Sequence, residues 1–391
     1  MISSRIRTIQ PSATLTVDAR AKAMREAGID VVSFAAGEPD FDTPTNVVEA
    51  AIRAASESRI QKYSPAAGLP ELRSAVAADS NATVGNHLIG ADNVLIANGA
   101  KQAIFSALAG IVETGDEVLL PAPYWTTYPE LIGFFGGSAV PVSSSATPGN
   151  LPSVADLEGV VTDRTKAIVW CSPSNPSGAV ADAEHTREVF DWAKEREMWI
   201  LSDEIYRKLY YGTGTIPTMR ALGCPGYSRL VVVDGVSKTY SMTGWRVGWL
   251  LADEEFIRGA ARLQSHMASN VSNVAQAAAT AALQGPQDAA KDMLESFRHR
   301  RALITEVLQS IPGIRLTEPD GAFYVFPDVR DAAQRCGAAS TQDLAMRLVD
   351  EARVAVVPGE AFGFSGHLRL SYALADNQLD AGLRRIVKAL T

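Results

Sequence analysis

Two rhythms of apolar residues alternate along the chain. Short, nearly continuous apolar runs give way to stretches whose apolar positions recur at helical spacing. "NVLIA" (93–97) precedes "KQAIFSALAGIV", "DEVLLPA" (116–122) precedes "YPELIGFFG", and "TKAIVWCSP" (165–173) precedes "EHTREVFDWAKERE". "MWILSD" (198–203) and "RLVVVDG" (229–235) follow. Short apolar runs separated by amphipathic helices predict βαβ units, and hence a mainly parallel sheet covered by helices on both faces.

The tail has a different order. "ESFRHRRALITEVLQSI" predicts a long helix, and "GIRLTEPDGAFYVFPDV" predicts two strands joined by a turn at Pro319-Asp320-Gly321. "ARVAVVPG" and "HLRLSYA" are strand-like, and a last helix ends the chain. This pattern suits a smaller α+β domain. The expected division is a large domain over 41–285, and a small domain made of 1–40 and 286–391, with the boundary near "LQGPQD".

At 391 residues the chain exceeds what one compact core usually holds. A net charge of -8 argues against a nucleic-acid partner. Cys171, Cys224 and Cys336 lie far apart without a CxxC, which fits a reducing cytoplasm rather than a disulfide framework. No HExxH or other metal-ligand spacing occurs, so no metal is expected. Neither a signal-peptide core nor a membrane-length apolar run is present, so no membrane partner is expected either.

Open parallel sheets bind ligands at the carboxyl ends of their strands. Four polar clusters fall there. In "ANGAKQAIF" a glycine opens a helix, which makes either an anion site or a plain turn at Asn98-Gly99. Asp203 ends "MWILSD", either to cap the next turn or to face a ligand together with Tyr206. "SPSNPSG" is a turn around Asn175, with Asn175-Pro176 a candidate cis bond. Lys238 follows the valine run of "VVVDGVSKTYSMTGWRVGW", with Arg246 a short way on. A lysine in a desolvating pocket near another cation can lose its proton and attack a carbonyl, and an arginine can bind phosphate. An anion site, a carboxylate, a phenol or amide, and an amine together complement pyridoxal phosphate.

Those stretches, with "SFAAGEPDFDTP" (33–44), "KYSPAAGLPELR" (62–73), "APYWTTYPE" (122–130), "GAFYVF" (321–326), "AVVPG" (355–359) and "RLSYA" (369–373), resemble the class I aminotransferases of the fold-type I pyridoxal-phosphate enzymes, and within them the bacterial aspartate aminotransferases. The resemblance runs nearly the whole chain in the family's order. It implies that Lys238 holds the cofactor as a Schiff base and shuttles a proton, and that Asp203 keeps the pyridine nitrogen protonated. Tyr206 and Asn175 are implied to bond the ring hydroxyl. Gly99, Ala100, Ser237 and Arg246 are implied at the phosphate, with Tyr63 reaching the phosphate of the neighbouring subunit of a homodimer. Trp125 and Ile205 are implied on the two ring faces. Gly37 and Arg369 are implied at the substrate, where Arg369 grips the α-carboxylate; taken alone, Arg369 reads as a surface ion pair. Lys101 is implied at the side-chain carboxylate of an acidic substrate, and otherwise reads as a solvated lysine. Ser12-Ala13-Thr14 resembles a segment that closes over the site.

The implied activity is ping-pong transfer of an amino group from an L-amino acid, aspartate first, to a 2-oxo acid, 2-oxoglutarate first. Prephenate or aromatic oxo acids are alternative acceptors. Elimination on the same scaffold, or a non-catalytic regulator, are competing readings. Asp234, Cys171 and Val271 depart from the family's usual residues, and each bears on the pocket or on the loop from the partner subunit.

Overall fold

The computed structural model describes residues 2–85, 88–144 and 148–391. Strand β1 (Val32–Ser33) is short. Seven strands then form one sheet: β2 (Val94–Ala97), β3 (Glu117–Ala122), β4 (Ser138–Ser143), β5 (Thr165–Cys171), β6 (Trp199–Asp203), β7 (Leu230–Gly235) and β8 (Gly248–Leu251). Four more follow in the tail: β9 (Tyr324–Val325), β10 (Val354–Ala355), β11 (Val357–Pro358) and β12 (Leu368–Ser371). The large sheet runs β2-β8-β7-β6-β5-β3-β4. It is parallel except where β8 pairs with β2 and β7.

Burial on both faces explains the apolar runs. In β7, Val231 and Val233 join the core beneath helices Gly99–Ile111 and Glu254–Met267, while Val232 joins the opposite core with Val189, Phe190 and Ala278. A strand turns successive side chains to opposite faces, so a strand covered twice must be apolar throughout. This α/β architecture is the fold class read from the sequence.

The tail builds a separate core. β1 pairs in parallel with β10, and β11-β12-β9 form an antiparallel sheet. Helices Asp288–Gln309 and Asp376–Leu390 pack on them through Phe297, Ile304, Leu379 and Leu383. This core also takes in Ile205, Tyr206, Leu209 and Tyr211, so the chain leaving β6 bridges the two layers.

One expectation fails here. The predicted hairpin around Pro319-Asp320-Gly321 has only its second strand, β9. On the other side only an isolated bridge between Arg315 and Asp328 forms. The Arg315 side chain adds ion pairs to Asp328 and Asp331 at that bridge. Two strands of the large sheet are absent from the sequence reading. β4 is an edge strand with a mostly exposed or half-buried pattern, and β8 is a short run inside the glycine-rich stretch after Lys238.

Candidate active site

The carboxyl ends of β5, β6 and β7 open on a cavity of about 370 Å³. At one end the chain turns from β2 into helix Gly99–Ile111. Gly99 has φ 78°, and a Cβ there would lie 2.4 Å from the Arg246 guanidinium. Gly248 in β8 is equally constrained, since its Cβ would lie 2.5 Å from the Ala100 nitrogen. Two glycines thus let the helix start press against the sheet, with its free N–H groups turned to the cavity. Arg246 donates to the carbonyls of Thr243 (2.9 Å) and Asn98 (3.3 Å), and it lines the cavity with Ala100, Lys101 and Ser237. Burial and the Arg246 charge hold the Lys101 ammonium below its usual pKa. Two cations and a helix N-terminus facing one space complement an anion.

The middle of the cavity is lined by Asp203, which closes β6 and is 3% exposed. Its Oδ1 accepts from the Ile205 amide at 3.2 Å, and Oδ2 accepts from the Tyr128 hydroxyl at 2.7 Å. Asp203 therefore does both jobs left open by the sequence, since it caps the turn and lines the cavity. Burial raises its pKa to about 6, against the lowering pull of Tyr128 and the Ile205 amide. Trp125 and Ile205 line the same region, and Trp125 packs edge-on against Tyr128 with centroids 5.5 Å apart. Tyr206 is buried, with its hydroxyl 2.9 Å from that of Tyr324. Asn175-Pro176 is cis. The Asn175 Oδ1 accepts from Arg369 at 3.1 Å, which leaves its amide N–H groups as donors.

Lys238 stands over this region, with its ammonium donating to the Gly37 carbonyl at 2.6 Å. Burial lowers its pKa to about 8; Glu38 opposes the shift, while Arg246 and Arg369 add to it.

Arg369 corrects the surface-ion-pair reading. It is 2% exposed, on β12, with its guanidinium 4.8 Å from the Tyr324 ring centroid and 5.1 Å from that of Phe362. It donates to the Ala35 carbonyl at 2.6 Å and to Asn175, its Nε has no partner, and no carboxylate pairs with it among the described residues. A buried cation whose only partners are neutral is costly unless an anion arrives.

Of the residues singled out in the sequence, Gly37, Ala100, Lys101, Trp125, Asn175, Asp203, Ile205, Tyr206, Ser237, Lys238, Arg246 and Arg369 line this single cavity. Gly99 lies just behind it, against Arg246. Tyr63 does not reach it and is 91% exposed. Ser12 and Thr14 line the mouth beside helix Ala13–Glu26. Sequence reasoning missed Tyr128 and Tyr324. Tyr128 stood in plain view three residues after Trp125, and Tyr324 within "GAFYVF". Neither motif tells that these hydroxyls meet Asp203 and Tyr206.

Of the three departures, only Cys171 lines the cavity; its thiol donates to the Pro173 carbonyl at 3.5 Å, and burial raises its pKa to about 12. Asp234 faces away, into a buried ion network with Arg207 (2.6 Å) and Arg220 (2.8 Å). Val271 is buried in the core of the large layer.

The four features of the cavity match the four functional groups of pyridoxal phosphate. The helix start with Arg246 suits a phosphate, buried Asp203 a ring nitrogen, Tyr206 and Asn175 a ring oxygen, and the Lys238 amine an aldehyde. The residues present therefore fit the group.

Comparison with known proteins agrees. Residues 29–386 match the family described as aminotransferase class I and II. An aspartate aminotransferase from Streptomyces avermitilis is 48% identical, covering 100% of this chain and 96% of its own. A bifunctional aspartate aminotransferase and glutamate/aspartate-prephenate aminotransferase from Petunia hybrida is 37% identical, covering 100% of this chain and 82% of its own. The solved structure of aspartate aminotransferase from Thermus thermophilus with maleate superposes with a TM-score of 0.92 at 37% identity, covering 100% of both chains. The fold, the cavity and these matches agree that this chain belongs to the class I and II aminotransferases and is a pyridoxal-phosphate-dependent enzyme of that family.

Proposed function

We propose that this aminotransferase takes the amino group of L-aspartate and delivers it to 2-oxoglutarate. The observation that carries the reading is the convergence of Lys238, Asp203 and Arg369 on one cavity whose far wall is cationic. Arg369 suits the α-carboxylate, with two donors fixed by Ala35 and Asn175 and the Nε edge unused. Lys101, with its ammonium 5.0 Å from the Trp125 ring centroid and no carboxylate partner among the described residues, suits the second carboxylate of a dicarboxylic substrate. The names of the Streptomyces and Thermus relatives support aspartate, and the Petunia relative supports prephenate as a further acceptor to test.

When bound, pyridoxal phosphate supplies an aldehyde that condenses with amines and a ring that draws electron density from the substrate Cα. In this reading Lys238 holds the group covalently at rest. Its free amine would move the proton at the substrate Cα. Its lowered pKa keeps a usable fraction of free base near neutrality. Asp203 holds a proton on the ring nitrogen by presenting a buried carboxylate. Tyr206 and the free amide of Asn175 donate to the ring oxygen. Ala100, Ser237 and Arg246, with Gly99 behind them, bind phosphate. Trp125 and Ile205 flank the ring and exclude water. Gly37 holds the Lys238 amine through its carbonyl.

The exposed ring of Tyr63 supports a homodimer in which it completes the neighbour's phosphate site. The separate core of the tail supports a small domain of 1–40 and 286–391 against a large one of 41–285. Three unpaired cysteines suit a reducing cytoplasm, and no helix among the described residues is long and apolar enough to cross a membrane. The test of the site is borohydride fixation of the loaded enzyme followed by peptide mapping. The reading predicts label on the peptide carrying Lys238, and label on any other lysine refutes it.

A further inference from the structure

Asp203 and Tyr128 come from elements far apart in sequence. Asp203 ends β6, and Tyr128 lies in the first turn of helix Thr127–Phe134, with its ring buried under Trp125. Their hydrogen bond is shorter than the one from the Ile205 amide, at 2.7 Å against 3.2 Å. The two donors hold different oxygens. A carboxylate held at both oxygens cannot rotate about its Cβ–Cγ bond without breaking one of them.

We propose that Tyr128 is a positioning residue for Asp203: its phenol locks the rotation of the carboxylate and holds it as an anion facing the cofactor's ring nitrogen. This rests on the assignment of Asp203 made under the proposed function.

The geometry explains why a phenol serves here. Asp203 lies in a wall that disfavours charge. Cys171 lies beside it on β5, Glu204 follows it in sequence, Asp234 on β7 acts on it only through its charge while its carboxylate is held by Arg207 and Arg220, and Lys238 is the nearby cation. Asp234 and Glu204 are themselves acids, so burial and two neighbouring charges all favour the protonated carboxyl. A protonated Asp203 has no negative charge with which to retain a proton on the ring. A charge-assisted hydrogen bond from a neutral donor opposes that drift without adding a charge of its own. Burial and the Asp203 charge push the Tyr128 pKa well above its usual value, so the phenol stays a donor throughout the working range. Trp125 lies just before helix Thr127–Phe134 and its carbonyl accepts from the Tyr128 amide at 3.1 Å, so the turn entering the helix carries both the ring-facing indole and the carboxylate lock.

The test is Tyr128→Phe, which keeps the packed ring and removes the hydroxyl. Two readouts are needed. The first is ¹³C carboxyl NMR of Asp-labelled, cofactor-free protein, with the Asp203 signal assigned by its loss in Asp203→Asn. Tyr128→Phe should move that titration upward from about 6 by about one unit, the shift expected for losing a charge-assisted bond. The second is the dissociation constant of pyridoxal phosphate at neutral pH, which should rise about 10- to 100-fold in Tyr128→Phe. Asp203→Asn should weaken binding at least as much. An unmoved titration in a folded Tyr128→Phe overturns the proposal. So does unchanged cofactor affinity in that variant where Asp203→Asn loses it. If Asp203→Asn binds cofactor as the wild type does, the assignment of Asp203 to the ring nitrogen fails first, and the proposed role of Tyr128 fails with it.

Discussion

Arg369→Lys keeps the charge and removes the planar fork. In the native site two arms of that fork are occupied, by the Ala35 carbonyl at 2.6 Å and the Asn175 Oδ1 at 3.1 Å, and Nε is spare. A single ammonium cannot satisfy both neutral acceptors and still grip a carboxylate with two donors. At least one charge-assisted bond to substrate is lost, worth about 1.5–3 kcal/mol. That corresponds to roughly 10- to 150-fold weaker substrate binding. The assay is a half-reaction titration, following the absorbance of the bound cofactor as an amino acid is added. L-aspartate and L-alanine should both weaken by a similar factor, because both carry the α-carboxylate that Arg369 is proposed to hold. The variant should remain folded, because the partners of this buried cation among the described residues are neutral rather than ion-paired. Weakening for aspartate with alanine unaffected would refute the reasoning, because it would put Arg369 at the substrate side chain.

Lys101→Ala should show the opposite selectivity, raising KM for aspartate about tenfold while leaving alanine nearly unchanged; equal effects on both would remove Lys101 from side-chain recognition. Lys238→Ala should abolish turnover and leave the circular dichroism spectrum and melting temperature close to wild type, and retained transamination would contradict the role of the amine. Loading of cofactor-free enzyme should accelerate as pH rises toward and through about 8, because the Lys238 ammonium must lose its proton before it attacks; a rate independent of Lys238 ionisation would refute this. Asp203 binds its proton more tightly folded than unfolded, so in cofactor-free protein its contribution to stability falls as pH rises from about 4 through about 6. The loss is about 3 kcal/mol. Urea unfolding of Asp203→Asn should lack that fall, and an identical pH profile in both proteins would refute it.

Much of this site was legible because strands buried on both faces leave continuous valine and isoleucine runs, and ligand groups cluster just past their ends. Val231–Val233 announce β7, and Lys238 follows at the predicted edge. What stayed hidden depends on distance in sequence. Tyr128 meets Asp203 across 75 residues and Tyr206 meets Tyr324 across 118, and local spacing carries no trace of either contact. Strand β4 escaped because an edge strand is covered less, so its pattern is not uniformly apolar. The strand expected before Pro319 shrinks to one bridge, in which Arg315 and Asp328 exchange backbone hydrogen bonds. Taken without the family resemblance, Arg369 reads as a surface ion pair, because arginines are mostly exposed. Its burial follows from β12 lying between Tyr324 and Phe362, a packing that no window of sequence shows.

The most direct test of the central claim is the absorption spectrum of the purified enzyme with pyridoxal phosphate, recorded after adding L-aspartate and again after 2-oxoglutarate. The account predicts that the band of the resting, lysine-bound cofactor disappears with aspartate and returns with the oxo acid. A band unmoved by aspartate, or ammonia released with no oxo acid present, would contradict it.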